Sequence, residues 1–305
     1  IKKYLIKYWI FFRYKGEKMK ITQLSSLNEV QIHLVKQLIK ECQMFDGTHK
    51  EPYLLNTLNF DKRMPSFFLG YEEEKIIGLL YVYADTKDVE VSIFIHPEYR
   101  RRGYATDIYQ RFLKETEKYK LNTTRFQTEA IFLENNPDFI SKRNLNIKDE
   151  TETWFIRDRY PFTQLIQEKY LVKEATKECS LQIVEFVSEI FSTSLEVSKK
   201  YVDEAIASDN SSLYALLIGN TIVSICIVDY SSENNYLYGL AVLKKYQRQG
   251  IGSYLVKEII NQMIKENNKR FQIAVEDSNI TAKIMYEKLG FVFQTQVVYL
   301  NENES

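Results

Sequence analysis

The chain has 305 residues, enough for two domains that each bury a core, and its 45% hydrophobic and 27% charged content is that of a folded globular protein. Lys plus Arg and Asp plus Glu balance at 41 each, so no polyanionic partner such as nucleic acid is called for. Three scattered cysteines (Cys42, Cys179, Cys226) and three histidines (His33, His49, His96) give neither a disulfide framework nor metal-ligand spacing; they suit reduced thiols in a cytoplasmic protein without a metal.

Residues 1–18, IKKYLIKYWIFFRYKGEK, precede the first methionine, Met19. Their longest uncharged run, Tyr8 to Phe12, is far short of the roughly 20 residues that span a bilayer. No small-residue cleavage site follows, so a signal peptide is not the expected reading. Lys15-Gly16-Glu17 can be encoded by a purine-rich stretch resembling a ribosome-binding site, and the Lys-, Ile-, Asn- and Tyr-rich composition fits an AT-rich bacterial genome. Residues 1–18 are therefore read as a translated leader or a disordered extension, with a cationic amphipathic anchor as the alternative.

From Met19 the elements run as follows. MKITQLS is a strand, residues 28–43 and 50–57 are helices, and SFFLGYEEEKIIGLLYVY is a hairpin. A strand, loop and helix fill 89–119, followed by the strand RFQTEAI, a short helix near 136–144 and the strand TETWFIRDRY. The join falls at 159–168, around Pro161. KYLVKEA opens the second half as a strand, and CSLQIVEFVSEIF and LEVSKKYVDEAIA have helical i, i+3, i+4 spacing. SLYALLI and TIVSICIVDY flank a tight turn at Gly219-Asn220. Then come the strand NYLYGLAVL, a long helix over 249–267, the strand FQIAVE, a helix over 279–289 stopped by Gly290, and FVFQTQVVYL as the last strand or strands. The expected fold class is mixed α/β, with βααβββαβαβ in each half and domains over 19–160 and 161–305.

Two segments repeat, VEVSIFIHPEYRRRGYATDIYQRFLKE and NYLYGLAVLKKYQRQGIGSYLVKEIIN. Arg100 matches Gln247 and Gly103 matches Gly250, both at an offset of 147 residues (247 − 100 and 250 − 103), one domain length. In the second copy Gln247, Arg248, Gln249, Gly250, Ile251 and Gly252 join a strand to a helix. The amides opening that helix lack intrahelical partners and lie at its positive end, an arrangement that holds a pyrophosphate. Gly250 lets the backbone approach phosphate oxygens, Gly252 keeps the first turn slim, and Arg248 either adds a charge-assisted contact or is a solvated surface residue. Leu255 stands where a Rossmann fingerprint needs glycine, and no Gly-Lys-Ser/Thr is present for a Walker loop.

The hexapeptide resembles the Q/R-x-x-G-x-G/A signature of the GNAT (Gcn5-related N-acetyltransferase) superfamily, and Arg100, Arg101, Arg102, Gly103, Tyr104 and Ala105 fit the same pattern. The resemblance spans nearly the whole chain from Met19 as two tandem GNAT folds. It implies acetyl-CoA as cosubstrate and an amine on a small molecule, peptide or protein as acceptor; from the charge balance and the short apolar runs, no nucleic acid or membrane partner is expected. It also implies a bulged strand whose amides, around Leu240, Ala241 and Val242, bind the pantetheine arm and polarise the acetyl carbonyl. VEDSNITAKIMYEKLGF resembles the family's downstream strand and helix. There Asn279 contacts the pantetheine or merely caps the helix, and Tyr286, seven residues on, is the expected general acid for the leaving thiolate. Glu233, Asp229 and Glu276 are equal candidates for general base. Asn135 and Lys142 occupy the first-half positions of Asn279 and Tyr286, so chemistry is expected in the C-terminal half. A non-catalytic acyl-CoA-binding regulator is the alternative.

Overall fold

The computed structural model describes residues 19–163 and 166–303, so the reading of residues 1–18 falls outside it. In chain order the elements are β1 (Lys20–Leu24), α1 (Glu29–Asp46), β2 (Phe67–Glu72), β3 (Lys75–Tyr83), β4 (Asp88–Ile95), α2 (Tyr104–Thr116), β5 (Thr123–Glu129), α3 (Ala130–Asn135), α4 (Phe139–Arg143) and β6 (Leu145–Arg157). They continue with β7 (Tyr170–Glu174), α5 (Ser180–Phe191), α6 (Leu195–Ala207), β8 (Ser211–Ile218), β9 (Thr221–Asp229), β10 (Asn234–Val242), α7 (Ile251–Glu266), β11 (Arg270–Glu276), α8 (Ile280–Lys288) and β12 (Val292–Glu302). Two compact units result, one of residues 19–48 with 52–127, the other of residues 49–51 with 128–303.

In the first unit the strands lie in the order β1-β2-β3-β4-β5, antiparallel except for the β4–β5 pair. Side chains alternate across a strand, so β2 sends Phe67 and Leu69 to one face and Phe68 to the other. The first pair packs with Leu38 and Ile39 of α1, the second with Ile108 and Phe112 of α2. Helix α1 starts at a capping box between Asn28 and Gln31 and ends at Gly47, whose φ is 71°.

Two helix expectations are corrected. Residues 50–57 form no helix: the amides of His49 and Lys50 bond the Glu129 carboxylate at 2.8–3.0 Å, and Pro52 offers no amide to a helical ladder. The short helix near 136–144 is present as α4, and the correction here is an added helix, α3, which takes the last two residues of the expected strand RFQTEAI and stops before Asn136-Pro137.

In the second unit the order is β7-β8-β9-β10-β11-β6-β12. Gly219, with a φ of 58°, makes the two-residue turn between β8 and β9. The strand TETWFIRDRY, expected to close the first half, here lies in β6 between β11 and β12 and is antiparallel to both. Its Phe155 joins Leu237, Ile273, Leu255 and Ile259 in the core under α7, while Ile183 and Val202 of α5 and α6 cover the other face at Leu213, Ile225 and Ala241. The three cysteines are buried and free, and burial pushes the Cys42 thiol up to about 11 and the Cys226 thiol up to about 12.

Asp277, just past β11, ties β6, α8 and β12 together. Its carboxylate accepts from Thr151 Oγ1, Thr153 Oγ1, Lys283 Nζ (2.8 Å) and Gln296 Nε2 (2.6 Å). Burial raises its pKa, but these donors outweigh burial and hold it far below the usual carboxylate range. The stabilisation is therefore complete above the unfolded value, about 3.9, and is lost as pH falls below it. Asp277→Ala is expected to cost about 2 kcal/mol at pH 7 and clearly less near pH 3, read from urea midpoints. An equal loss at both pH values would show that the carboxylate's charge contributes nothing.

Candidate active site

Strand β10 carries the first element of the site. Tyr238 pairs with Ile227 but Ala241 pairs with Ile225, so Gly239 and Leu240 together face the single residue Cys226. Gly239 has a φ of 61°, the left-handed bulge conformation that glycine adopts without strain. On its other side β10 pairs with β11 only from Asn234 to Leu237, while β11 runs on to Glu276 beside β6. The two parallel strands therefore part at Leu237 and Ile273, and the edge of β10 holding Leu240, Ala241 and Val242 faces the opening.

After β10 comes a short 3₁₀ turn, Lys244–Tyr246, and then the loop. The side chains at its first and third positions fold back as braces: Gln247 Nε2 donates to the Val242 carbonyl and Gln249 Nε2 to the Lys245 carbonyl, each at 3.0 Å. Arg248 is left-handed at φ 61° and Gly250 at φ 80°, and both are exposed. The first helical bond of α7 runs from Tyr254 N to Gly250 O at 2.9 Å. Among the described residues the amides from Arg248 to Ser253 thus have no backbone acceptor. Ile251 is buried, and Gly252 lies against β10, where a Cβ would meet Val242 at 3.4 Å. That is ordinary contact, which agrees with Ala105 at the matching first-half position.

The first-half loop repeats this geometry. Arg100 Nε donates to the Ile95 carbonyl at 2.8 Å and Arg102 to the Glu98 carbonyl at 2.9 Å, five and four residues back, as in the second loop. Arg101 and Gly103 are left-handed at 63° and 87°, and α2 starts at Tyr104 and Ala105. The Arg100 guanidinium is further held by Asp46, with contacts of 2.6 and 2.7 Å. The bulge, however, is not repeated. The β3–β4 register runs unbroken from Gly78↔Ile95 to Tyr83↔Glu90, and Ser92 stands where the second half has Gly239 (239 − 147 = 92).

Tyr286 lies inside the second-unit core at 5% exposure, with ring centroids 6.0 Å from Phe291 and 6.4 Å from Phe155. Burial, with a smaller contribution from Cys226, pushes its phenol well above the ordinary value, so it stays protonated through neutral pH. Asn279 caps α8 by accepting from Ala282 N at 3.1 Å. Its match Asn135 ends α3, and Lys142, the match of Tyr286, is exposed and paired with Asp138 at 2.8 Å. Of the three carboxylates, Asp229 accepts from Ser231 N at 2.7 Å, Glu276 contacts Ser278, and Glu233 is exposed. Glu152 was not legible as a site residue, because only the register of β6 places it opposite Glu276 on the face that also carries Tyr236.

Among the described residues no helix is long and apolar enough to cross a membrane. Comparison with known proteins gives one consistent result. Residues 175–302 match a family profile described as an acetyltransferase (GNAT) domain, and residues 32–137 match one described as the acetyltransferase (GNAT) family. N-alpha-acetyltransferase 30 of Xenopus laevis is 35% identical over 82 residues, 25% of this chain and 30% of that protein. The mouse thialysine N-epsilon-acetyltransferase is 28% identical over 89 residues, 29% of this chain and 52% of that protein. The chain thus spans from under a third to about half of these relatives' lengths. Among solved structures, a GCN5-related N-acetyltransferase from Sphaerobacter thermophilus superposes with a TM-score of 0.69 at 14% identity, covering 94% of this chain and 96% of its own. A tandem GNAT protein from the clavulanic acid pathway gives 0.67 at 13%, covering 94% and 100%. At such identities these two speak for the fold alone.

Proposed function

Because the chain belongs to the GNAT acetyltransferase superfamily, as two tandem copies, we propose that its C-terminal half is an acetyl-CoA-dependent N-acetyltransferase acting on a primary amine. One observation carries the reading: the braced loop before α7 lies directly after a glycine-bulged strand that parts from β11. The amides at the start of α7 bind the diphosphate of acetyl-CoA, and the freed edge of β10 around Leu240, Ala241 and Val242 receives the pantetheine and the acetyl carbonyl. The amine lone pair attacks that carbonyl, the C–S bond breaks, and Tyr286 protonates the departing thiolate. Of the two protons an ammonium acceptor loses, one ends on the CoA sulfur and one in solvent.

The acceptors named for the similar proteins are N-terminal and thialysine amines, which supports an amine acceptor here. The first half keeps the loop, but its unbroken β4 register and Lys142 favour acyl-CoA binding without turnover there.

Tyr286→Phe tests the chemistry with a change of one hydroxyl inside a packed core. Amine-dependent CoA release is expected to fall about 10²–10³-fold in kcat, with little change in acetyl-CoA affinity. Turnover at the wild-type rate would remove Tyr286 as the acid.

A further inference from the structure

Three rings line the sheet face opposite α7 and end at the bulge. Tyr236 stacks on Trp154 with centroids 5.3 Å apart and on Tyr238 at 5.8 Å, with interplanar angles of 13° in both cases. The stack crosses β11 because Ala274, the residue in register with Trp154, is too small to separate the rings. Tyr238 immediately precedes Gly239, so the ladder leads to the strand opening. On the β6 side, level with the part of β11 that runs on past Ile273 where β10 leaves it, the Trp154 indole N–H donates to the Glu152 carboxylate at 3.2 Å. Glu276 lies opposite Glu152 in the β6–β11 register. Trp154 is buried, whereas Tyr236, Tyr238 and Glu152 are partly exposed.

Resting on the acetyltransferase reading above, we propose that this ladder is the acceptor site, that the acceptor is an alkyl primary amine whose methylenes lie along the rings, and that Glu152 takes the proton its nitrogen loses. The molecule already displays the chemistry in miniature. The side-chain ammonium of Lys50 rests 5.3 Å from the Trp154 ring centroid, so an alkylammonium already occupies that buried ring, and the partly exposed Tyr236 and Tyr238 are left to receive the acceptor's stem. Two carboxylates beside three stacked rings match a cation on an apolar stem and disfavour neutral or anionic acceptors.

The proton route balances. The acceptor first sheds one proton to solvent to expose its lone pair. As the N–C bond forms and the C–S bond breaks, Glu152 takes the second proton and the thiolate takes one from Tyr286. Glu152 then releases its proton to solvent and the Tyr286 phenolate regains one from solvent, so that of the acceptor's two protons one ends in solvent and one on the CoA sulfur. Glu152 comes from β6, in the first half of the sequence, so the C-terminal segment 161–305 lacks this group.

The full-length protein tests this with four probes: 1,4-diaminobutane, an Nα-blocked lysine, a peptide with an internal lysine and blocked N-terminus, and a lysine-free peptide with a free α-amine. Binding is measured by calorimetry without acetyl-CoA, and acetylation is then measured with it. At least one of the first three is expected to bind and be acetylated, and which one does so distinguishes a free amine from a protein lysine. The lysine-free peptide is expected to be at least 10-fold poorer. Glu152→Gln is expected to lower kcat about 100-fold at saturating amine. Tyr238→Leu, at a partly exposed position, should instead raise KM and the amine Kd about 10-fold. Preference for the α-amine peptide, amine binding indifferent to Tyr238→Leu, or an unchanged kcat for Glu152→Gln overturns the proposal. Amine binding that is weakened by Tyr238→Leu, without any acetyl-CoA binding, would instead overturn the acetyltransferase reading and leave the amine site standing.

Discussion

Gly250→Asp is expected to weaken acetyl-CoA binding to the C-terminal half roughly 10²–10³-fold while leaving the fold intact. At φ 80° a residue with a Cβ costs about 1–2 kcal/mol. The new carboxylate also stands among amides proposed to grip a diphosphate, and like charges there bring the total to about 3–4 kcal/mol. Nothing lies within 4 Å of the added Cβ, so the core has no reason to rearrange. Gly250→Ala isolates the backbone share, about 10-fold. Gly103→Asp asks the same of the first loop, which has the same left-handed residues; if that loop also binds, calorimetric stoichiometry falls from two to one. An unchanged Kd for Gly250→Asp, with an unaltered circular dichroism spectrum, would sink the diphosphate assignment and with it the proposed activity.

Cutting the chain at the sequence join is expected to have an equally large effect. Residues 161–305 alone lose β6, and with it the strand between β11 and β12. Phe155 leaves the core beside Tyr286, Trp154 leaves its ring stack, and Asp277 loses two of its four donors. Arg157 goes too, whose Nε donates to the Leu289 carbonyl at 2.8 Å and whose remaining nitrogens hold the connector at Asp158 and Tyr160. Losing two large buried aromatics costs about 3–5 kcal/mol each, which alone approaches the 5–15 kcal/mol that a domain has. The fragment should lack near-ultraviolet circular dichroism and a cooperative urea transition. Co-expressing residues 19–160 should restore both. A cooperative transition in the isolated fragment would show that β6 is dispensable.

Both expectations rest on features of unequal legibility. The braced loops were visible because the offset of 147 residues aligns one local pattern with another, and a strand ending in Q/R-x-x-G-x-G/A fixes where the helix begins. The long helices were visible for the same local reason. Helix 50–57 failed because a carboxylate 79 residues away captures the Lys50 amide, a contact that no window of sequence contains. The position of β6 was hidden for a related reason. Alternating apolar letters say that TETWFIRDRY is a strand but not which strands it joins, and strand order is a long-range property. Glu152 and the ring ladder depended on that order and were missed with it. Gly239 could have been caught from its letter alone, since glycine inside an apolar strand marks a bulge. Its absence from the first copy, where Ser92 stands, is the clearest single difference between the halves.

The side-chain braces across each loop bear on the timing of the proposed diphosphate capture. Gln247 and Gln249 hold the main chain in shape through contacts made entirely within the protein. A diphosphate bound as proposed would therefore find its donors already aimed, with little freedom left to freeze at the moment of contact. Association governed by diffusion, with no slow isomerisation behind it, is the kinetic signature such a cradle should leave.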